Sequence, residues 1–258
     1  METPLKDENS TTPGSGQEIL NNSSKTLIII PAYNEEDNLG SVLEAIKKWT
    51  PNIPVLVIDD GSTDSTALVA ENHGAQLISL PFNSGYGVAL QTGFIYAVRH
   101  QYSLVVQLDA DGQHDPQNIP DLLQEVEKGD LDVVVGSRFL GEKTYKASIP
   151  RQIGMFIFGH LASLFCGQKV TDPTSGFQAL RGDVIRFGAS KYFPPDYPDA
   201  DFLIMLHRSG FKVKEIPVKM RPSPLNKSMH QGHKTIYYVF KMFLSIIVTL
   251  LRQKPKRY

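Results

Sequence analysis

Asp109 and Asp111 stand two residues apart, just past the apolar run 104–108. A run of β-formers of that length reads as a buried strand that delivers both carboxylates at its end. Two carboxylates this close repel, so both stay ionised only with a cation or donor groups between them. One chemistry that fits is a divalent metal holding a diphosphate. The other is an acidic turn that caps the next helix, with Asp115 as N-cap and Pro116 at the first helical position.

Three earlier strand–helix repeats must position this pair. Leu27-Ile28-Ile29-Ile30 is continuously apolar, as a strand covered on both faces should be. It ends in Pro31-Ala32-Tyr33-Asn34-Glu35-Glu36, where Asn34 is suited to cap a helix carrying Leu39, Val42, Leu43, Ile46 and Trp49. A second strand, 55–58, closes in Asp59-Asp60-Gly61-Ser62-Thr63-Asp64, and a short helix at 67–72 and a strand at 76–80 follow. Asn83-Ser84-Gly85-Tyr86-Gly87 then leads into a helix at 88–98; without a Gly-Lys-Ser/Thr ending it is no P-loop. Strands alternating with helices predict a parallel, doubly wound sheet with its ligand at the carboxyl ends of the strands. Tyr33, Asp60 and the Asp109/Asp111 pair then converge on one edge.

Downstream, a helix at 119–126 precedes a strand at 132–135 ending in Gly136-Ser137-Arg138. Arg138 either faces a carboxylate or clamps a phosphate. Pro150-Arg151 opens an apolar helix, 153–165, and a polar turn runs from Thr171 to Gln178. A helix at 200–207 and an alternating edge strand at 212–218 follow. The stretch 221–234 is Pro-rich and basic, suited to a loop that closes over an anionic substrate. Its His230 and His233 lack companions at metal-ligand spacing, so zinc is not expected.

In the segment 236–251, Lys241, Ser245 and Thr249 recur every fourth residue as one narrow polar stripe. As a helix it spans about 24 Å, short of the ~30 Å hydrocarbon core. With Arg252, Lys254, Lys256 and Arg257 behind it, it reads as a helix lying on an anionic cytoplasmic leaflet; a core or oligomer helix is the competing reading.

The formal net charge of −1 over 258 residues gives no field suited to nucleic acid, and 41% hydrophobic with 21% charged residues is an ordinary globular balance. The single cysteine, Cys166, excludes an internal disulfide and reads as a core residue of a protein in a reducing compartment. No apolar stretch near the start resembles a signal peptide, and the expectation is a cytoplasmic protein. Residues 1–24, almost without large apolar side chains, read as a disordered polar tail.

Taken together, Pro31-Ala32-Tyr33-Asn34-Glu35, Ile58-Asp59-Asp60-Gly61-Ser62-Thr63-Asp64, Asp109-Ala110-Asp111-Gly112-Gln113-His114 and Asp172-Pro173-Thr174-Ser175-Gly176-Phe177 appear in an order that resembles the family 2 glycosyltransferases of GT-A fold, in particular their dolichol-phosphate mannose synthase-like group. The resemblance implies an α/β fold, a GT-A Rossmann-like, mostly parallel sheet flanked by helices. It divides the chain into the tail 1–24, a GT-A domain 25–231 and an amphipathic membrane-interface segment 232–258. It implies that Pro31, Tyr33, Glu35, Asp60, Asp109 and Arg221 bind the donor nucleotide. Asp109 and Asp111, with Gln113, would hold Mg²⁺ or Mn²⁺. Arg138 and Arg151 would face phosphates, with Ser228 on the acceptor phosphate, and Asp172 would lie at the acceptor side, so that Asp172, Arg138 and Arg151 form the catalytic set. Two departures stand out: Tyr86 occupies a position where many relatives carry Lys, and Arg221-Pro222-Ser223-Pro224-Leu225-Asn226-Lys227-Ser228 lacks the glycine that relatives often have in the closing loop.

The activity implied is inverting transfer of a sugar from a UDP-sugar or GDP-mannose to a polyprenyl or dolichyl phosphate, at the cytoplasmic face of a membrane. A sugar-hydroxyl acceptor would need a base, with Asp172, Asp199 or Asp201 as candidates; a polyprenyl phosphate is already an anion and needs positioning instead. The alternatives are a family 2 transferase acting on a saccharide hydroxyl, and a silent binding subunit of a membrane complex. The partners implied are a nucleotide sugar, a polyprenyl phosphate and a membrane surface, with a homo-oligomer or a membrane subunit compatible and no nucleic acid.

Overall fold

The computed structural model describes residues 25–140, 149–196, 198–221 and 233–252, and the side chains of 149–156 and 233–240 lie outside the described set. Seven strands form one sheet: β1 (Thr26–Ala32), β2 (Val55–Asp59), β3 (Gln76–Ser79), β4 (Leu104–Gln107), β5 (Val133–Ser137), β6 (Gln178–Arg181) and β7 (Val213–Pro217). Their order is β3-β2-β1-β4-β6-β5-β7. The helices are α1 (Glu36–Trp49), α2 (Thr66–Asn72), α3 (Tyr86–Arg99), α4 (Ile119–Glu127), α5 (Ile149–Cys166), α6 (Gly182–Gly188), α7 (Ala200–Arg208) and α8 (His233–Leu251). The α/β class and the mostly parallel sheet flanked by helices are borne out.

Successive strand side chains point to opposite faces. Leu27 and Ile29 of β1 join a core built with Leu90 and Phe94 of α3, Ile185 and Phe187 of α6, and Phe202 and Leu206 of α7. Ile28 and Ile30 join the opposite core, with Leu39, Val42 and Ile46 of α1 and Ile119, Leu122 and Val126 of α4. Burial on both faces is why β1 carries no polar alternation. Cys166 packs as a partly buried core residue, and burial first, then the charge of Glu215, pushes its thiol up to about 12.

The sheet is not wholly parallel. β6 pairs antiparallel with both β4 and β5 and lies between them. The sequence reading ends a polar turn at Gln178, the first residue of this strand, and places no strand here. The chain arrives at the carboxyl edge of the sheet through the 171–177 turn, so the strand that follows must run backwards. A four-residue strand is too short for its periodicity to announce it. The edge position expected for the last strand is found: among the described residues β7 pairs only with β5.

Asn34 does not cap α1. It sits at φ 55, and Glu35 takes the N-cap position without a side-chain cap. Asp115 does cap as expected, its carboxylate accepting from Gln117 N at 3.1 Å above a 3₁₀ turn at Pro116–Asn118 that runs into α4.

Helix α8 docks with its polar stripe inward. Lys241 Nζ donates to Asp196 at 2.8 Å, Ser245 donates to Asp201 of α7, and Thr249 is buried. Met242 and Ile246 join Phe158 of α5 and Ala200 and Ile204 of α7 in a small third core. Phe243, Leu244, Ile247, Val248 and Leu251 are left facing outward, Ile247 at 52% and Leu251 at 81% exposure. Among the described residues no helix is long and apolar enough to cross a membrane.

Candidate active site

Strands β2, β1 and β4 are parallel neighbours, so their following loops share one edge. Tyr33 follows β1 and is 44% exposed; Pro31, inside β1, is buried. The loops after β1 and β2 are laced together. Thr63 N donates to Asn34 Oδ1 at 2.9 Å, Asn34 N donates to Ser62 Oγ at 2.9 Å, and Glu35 N donates to Thr66 Oγ1 at 2.8 Å. In return Ser65 N donates to Glu36 Oε2 at 2.8 Å. These contacts satisfy N–H groups of the two loops just before α1 and α2, where Asn34 had been expected to cap the first helix.

Asp60 is buried and ties the second loop to a third. Its N donates to Ala32 O at 2.8 Å, and its carboxylate accepts from Ser84 N at 2.7 Å and Gly85 N at 2.9 Å. The glycine turn before α3 is thereby held against the carboxyl edge of β2. Each oxygen of Asp60 keeps a second lone pair able to accept a further hydrogen bond.

The loop after β4 carries Asp109 and Asp111. Tyr86 OH donates to Asp109 Oδ1 at 2.8 Å. Burial, reinforced by the charge of Asp109, pushes the Tyr86 phenol well above its usual range, so it stays a proton donor. Asp109 N donates to Nδ1 of buried His114, which stacks on Phe177 at 5.1 Å. That fixes His114 as an acceptor at Nδ1, with its proton on Nε2 when neutral. Asp111 accepts from Gln113 N at 2.9 Å and from Gln113 Nε2 at 2.7 Å. Burial, followed by the charge of Asp109, raises the Asp111 carboxyl above its ordinary value. Two partly buried acids in mutual repulsion are an environment that a cation relieves.

Among the described residues no group of three or more His, Cys, Asp and Glu is placed to hold a metal by itself. A pair of carboxylates with an amide oxygen is instead the donor set that Mg²⁺ or Mn²⁺ uses when substrate phosphates complete the shell. The residues present fit that group. Arg221, exposed at the root of the expected closing loop, is tied to the same segment: its N donates to Gln113 O at 2.8 Å and its guanidinium to Asp115 Oδ1 at 2.8 Å. His114 and Met220 form an antiparallel bridge beside it. Lys227, Ser228 and His230 lie outside the described residues, as does the side chain of Arg151, whose backbone stands in the first turn of α5.

Arg138, at the end of β5, faces a carboxylate. Its Nε donates to Asp172 Oδ2 at 2.7 Å, one terminal nitrogen to Asp172 Oδ1 at 2.5 Å and to Thr174 Oγ1 at 2.8 Å, and its backbone N to Asp172 Oδ2 at 2.9 Å. Asp172 is 0% exposed. Glu215 of β7 braces the turn from behind, accepting from Thr171 N at 2.8 Å and Asp172 N at 2.8 Å. The same turn reaches the aspartate pair: a Cβ on Gly176 would lie 2.8 Å from Tyr86 Oη and 3.1 Å from Asp109 Oδ1. Asp201 is also 0% exposed, accepting from Phe202 N at 2.7 Å and Asp199 N at 3.1 Å at the start of α7. Asp199 occupies the N-cap position of that helix.

Three contributors escaped the sequence reading. Tyr86 stood there as a departure rather than a contact. His114 lay inside a quoted motif without a role. Glu215 offered no signal, because a polar residue on an alternating edge strand reads as solvated.

A mostly parallel sheet with interlaced loops after β1 and β2 and an acidic pair after β4 defines a GT-A-like protein. Residues 27–187 match the model of Glycosyl transferase family 2, and the chain belongs to that family. Polyprenol monophosphomannose synthase of Mycolicibacterium smegmatis is 29% identical over 229 residues, 85% of this chain and 86% of that protein. Undecaprenyl-phosphate mannosyltransferase of Micrococcus luteus is 30% identical over 81% of this chain and 88% of its own length. Dolichyl-phosphate hexose transferase of Haloferax volcanii is 31% identical over 75% and 82%. Among solved structures, glucosyl-3-phosphoglycerate synthase of Mycobacterium tuberculosis with Mn²⁺, uridine diphosphate and phosphoglyceric acid matches at TM-score 0.67 and 22% identity, over 89% of this chain and 78% of that one, a likeness of fold alone.

Proposed function

We propose that this chain transfers a sugar from a nucleotide-sugar donor to a polyprenyl phosphate, inverting the anomeric carbon, from the cytoplasmic surface of a membrane. Relatives matched over most of both chains carry names of that activity. The structural observation that carries the reading is the burial of two of the three candidate bases, the third, Asp199, being partly buried at the N-cap position of α7. Asp172 is held by Arg138 and Asp201 by backbone N–H groups, each at 0% exposure. An acceptor hydroxyl would need such a base, whereas a phosphate acceptor is already ionised.

In this reading Pro31, Tyr33, Glu35 and Asp60 line the base and ribose end of the donor, and Asp109, Asp111 and Gln113 hold Mg²⁺ or Mn²⁺. When bound, the cation neutralises the charge that grows on the leaving diphosphate. Arg221 closes on the diphosphate from the loop that it anchors. Asp172 does not remove a proton; it orients Arg138, whose positive charge it largely balances. Arg151 and Ser228 then remain for the acceptor phosphate. The outward apolar stripe of α8 rests on the lipid surface where that acceptor resides.

The test supplies purified protein with polyprenyl phosphate, Mn²⁺ or Mg²⁺, and labelled nucleotide sugars. Label should enter the chloroform phase, and EDTA should stop it. Label entering saccharide with no lipid-linked product would replace this reading with transfer to a sugar hydroxyl.

A further inference from the structure

We infer that Tyr86 is a positioning residue of the metal–diphosphate site: its hydroxyl holds one oxygen of Asp109 and leaves the other for the cation. The inference rests on Asp109 and Asp111 holding the divalent ion, as proposed above. A buried phenol needs a hydrogen-bond partner, and the partner here is a carboxylate at 2.8 Å, a charge-assisted contact.

The tyrosine is itself fixed from both sides. Gly85, at φ +103 just before it, donates its N–H to Asp60 Oδ2 at 2.9 Å. Gly87, just after it, donates to Asp196 O at 2.9 Å and packs so close that a Cβ there would lie 2.4 Å from Pro194 O. The ring is partly buried and packs against the core beneath α3. From above, Gly176 approaches so closely that a side chain would not fit, its absent Cβ standing 2.8 Å from the hydroxyl. Three segments distant in sequence thus set the place of one hydroxyl.

What that placement does follows from the chemistry of the donor. A phenol is neutral, so it orients Asp109 without cancelling its charge. A lysine or arginine in the same place would orient it and also offset the attraction for a cation. Holding one oxygen removes torsional freedom that the carboxylate would otherwise lose on binding, which is preorganisation of a ligand group. Asp111 differs: Gln113 donates to both of its oxygens, from the backbone N and from Nε2.

The test is Mn²⁺ binding to the full chain, read from the loss of the free Mn²⁺ spin-resonance signal, alone and with UDP or GDP. Tyr86→Phe keeps the ring and removes the donor, and it should weaken Mn²⁺ binding by about tenfold. Urea unfolding in EDTA separates a loss of stability from this loss of affinity. Gly176→Ala drives a methyl group against the hydroxyl and should weaken binding in the same direction. Wild-type Mn²⁺ affinity in folded Tyr86→Phe overturns the inference; if that variant does not fold, wild-type affinity in Gly176→Ala does so. A wild-type chain that takes up no Mn²⁺ even with UDP or GDP removes the metal-site reading, and this inference falls with it.

Discussion

Arg138 and Asp172 form a buried, two-point ion pair inside a turn that also touches Asp109. Removing one partner of such a pair leaves a charge without compensation, which costs about 3–5 kcal/mol. Asp172→Ala should therefore lower the unfolding free energy by that order, read as a fall in the urea midpoint, independent of any substrate. Arg138→Lys keeps the charge but not the fork, so it should also destabilise the chain, and the same denaturation series checks it. If Asp172 served as a base with a solvent path, its loss would instead spare stability and remove turnover alone. The pairing was open in the sequence, where Arg138 had two readings. Which one holds depends on the return of the chain through β6, and four residues of strand gave no periodic warning of it.

Helix α8 shows what an element can and cannot reveal from its pattern. The stripe of Lys241, Ser245 and Thr249 is plain in the spacing, but a polar stripe ordinarily faces water. Here Lys241 and Ser245 find carboxylates on the domain, and the apolar stripe is turned outward. An exposed apolar face of this extent marks a surface meant to be covered. Replacing Leu244, Ile247 and Leu251 with serine should reduce sedimentation with anionic lipid vesicles. The folded domain should lose little stability, because exposed side chains contribute within about 0.5 kcal/mol each. Unchanged vesicle binding would argue that α8 meets another protein surface instead.

At the scale of the whole molecule, α7 and α8 meet over a buried acid. Burial pushes the Asp201 carboxyl up to about 6, only partly opposed by the Ser245 hydroxyl and nearby N–H groups. Its pKa is higher in the folded than in the unfolded chain, so between about pH 4 and pH 6 the folded state binds the extra proton. Stability contributed by this group accordingly rises as pH falls through that window. The full effect is about 3 kcal/mol between the two limits. Asp201→Asn should flatten this part of the stability profile, as measured by urea midpoints across the window. Other carboxylates act in the opposite sense at lower pH; Asp64 is one, its burial penalty outweighed by the summed hydrogen bonds from Thr66 and Glu36 that lower it.

The one-dimensional pattern was enough for the class of fold, the strand–helix repeats, the acidic pair after β4 and the family itself. Those features are local: runs of apolar residues, helix spacing and short motifs whose residues are neighbours in the chain. The tertiary structure decided what those groups touch. It placed Tyr86 on Asp109, enclosed Asp172 around Arg138, braced that turn with Glu215 and turned the polar stripe of α8 inward. Each of these joins residues far apart in sequence, and a hydrogen bond or a buried charge depends on distance and solvent exclusion, which spacing along a chain does not encode. The Asp109/Asp111 pair was legible as chemistry; the hydroxyl that steadies it became visible only when α3 and the 172–177 turn closed over it.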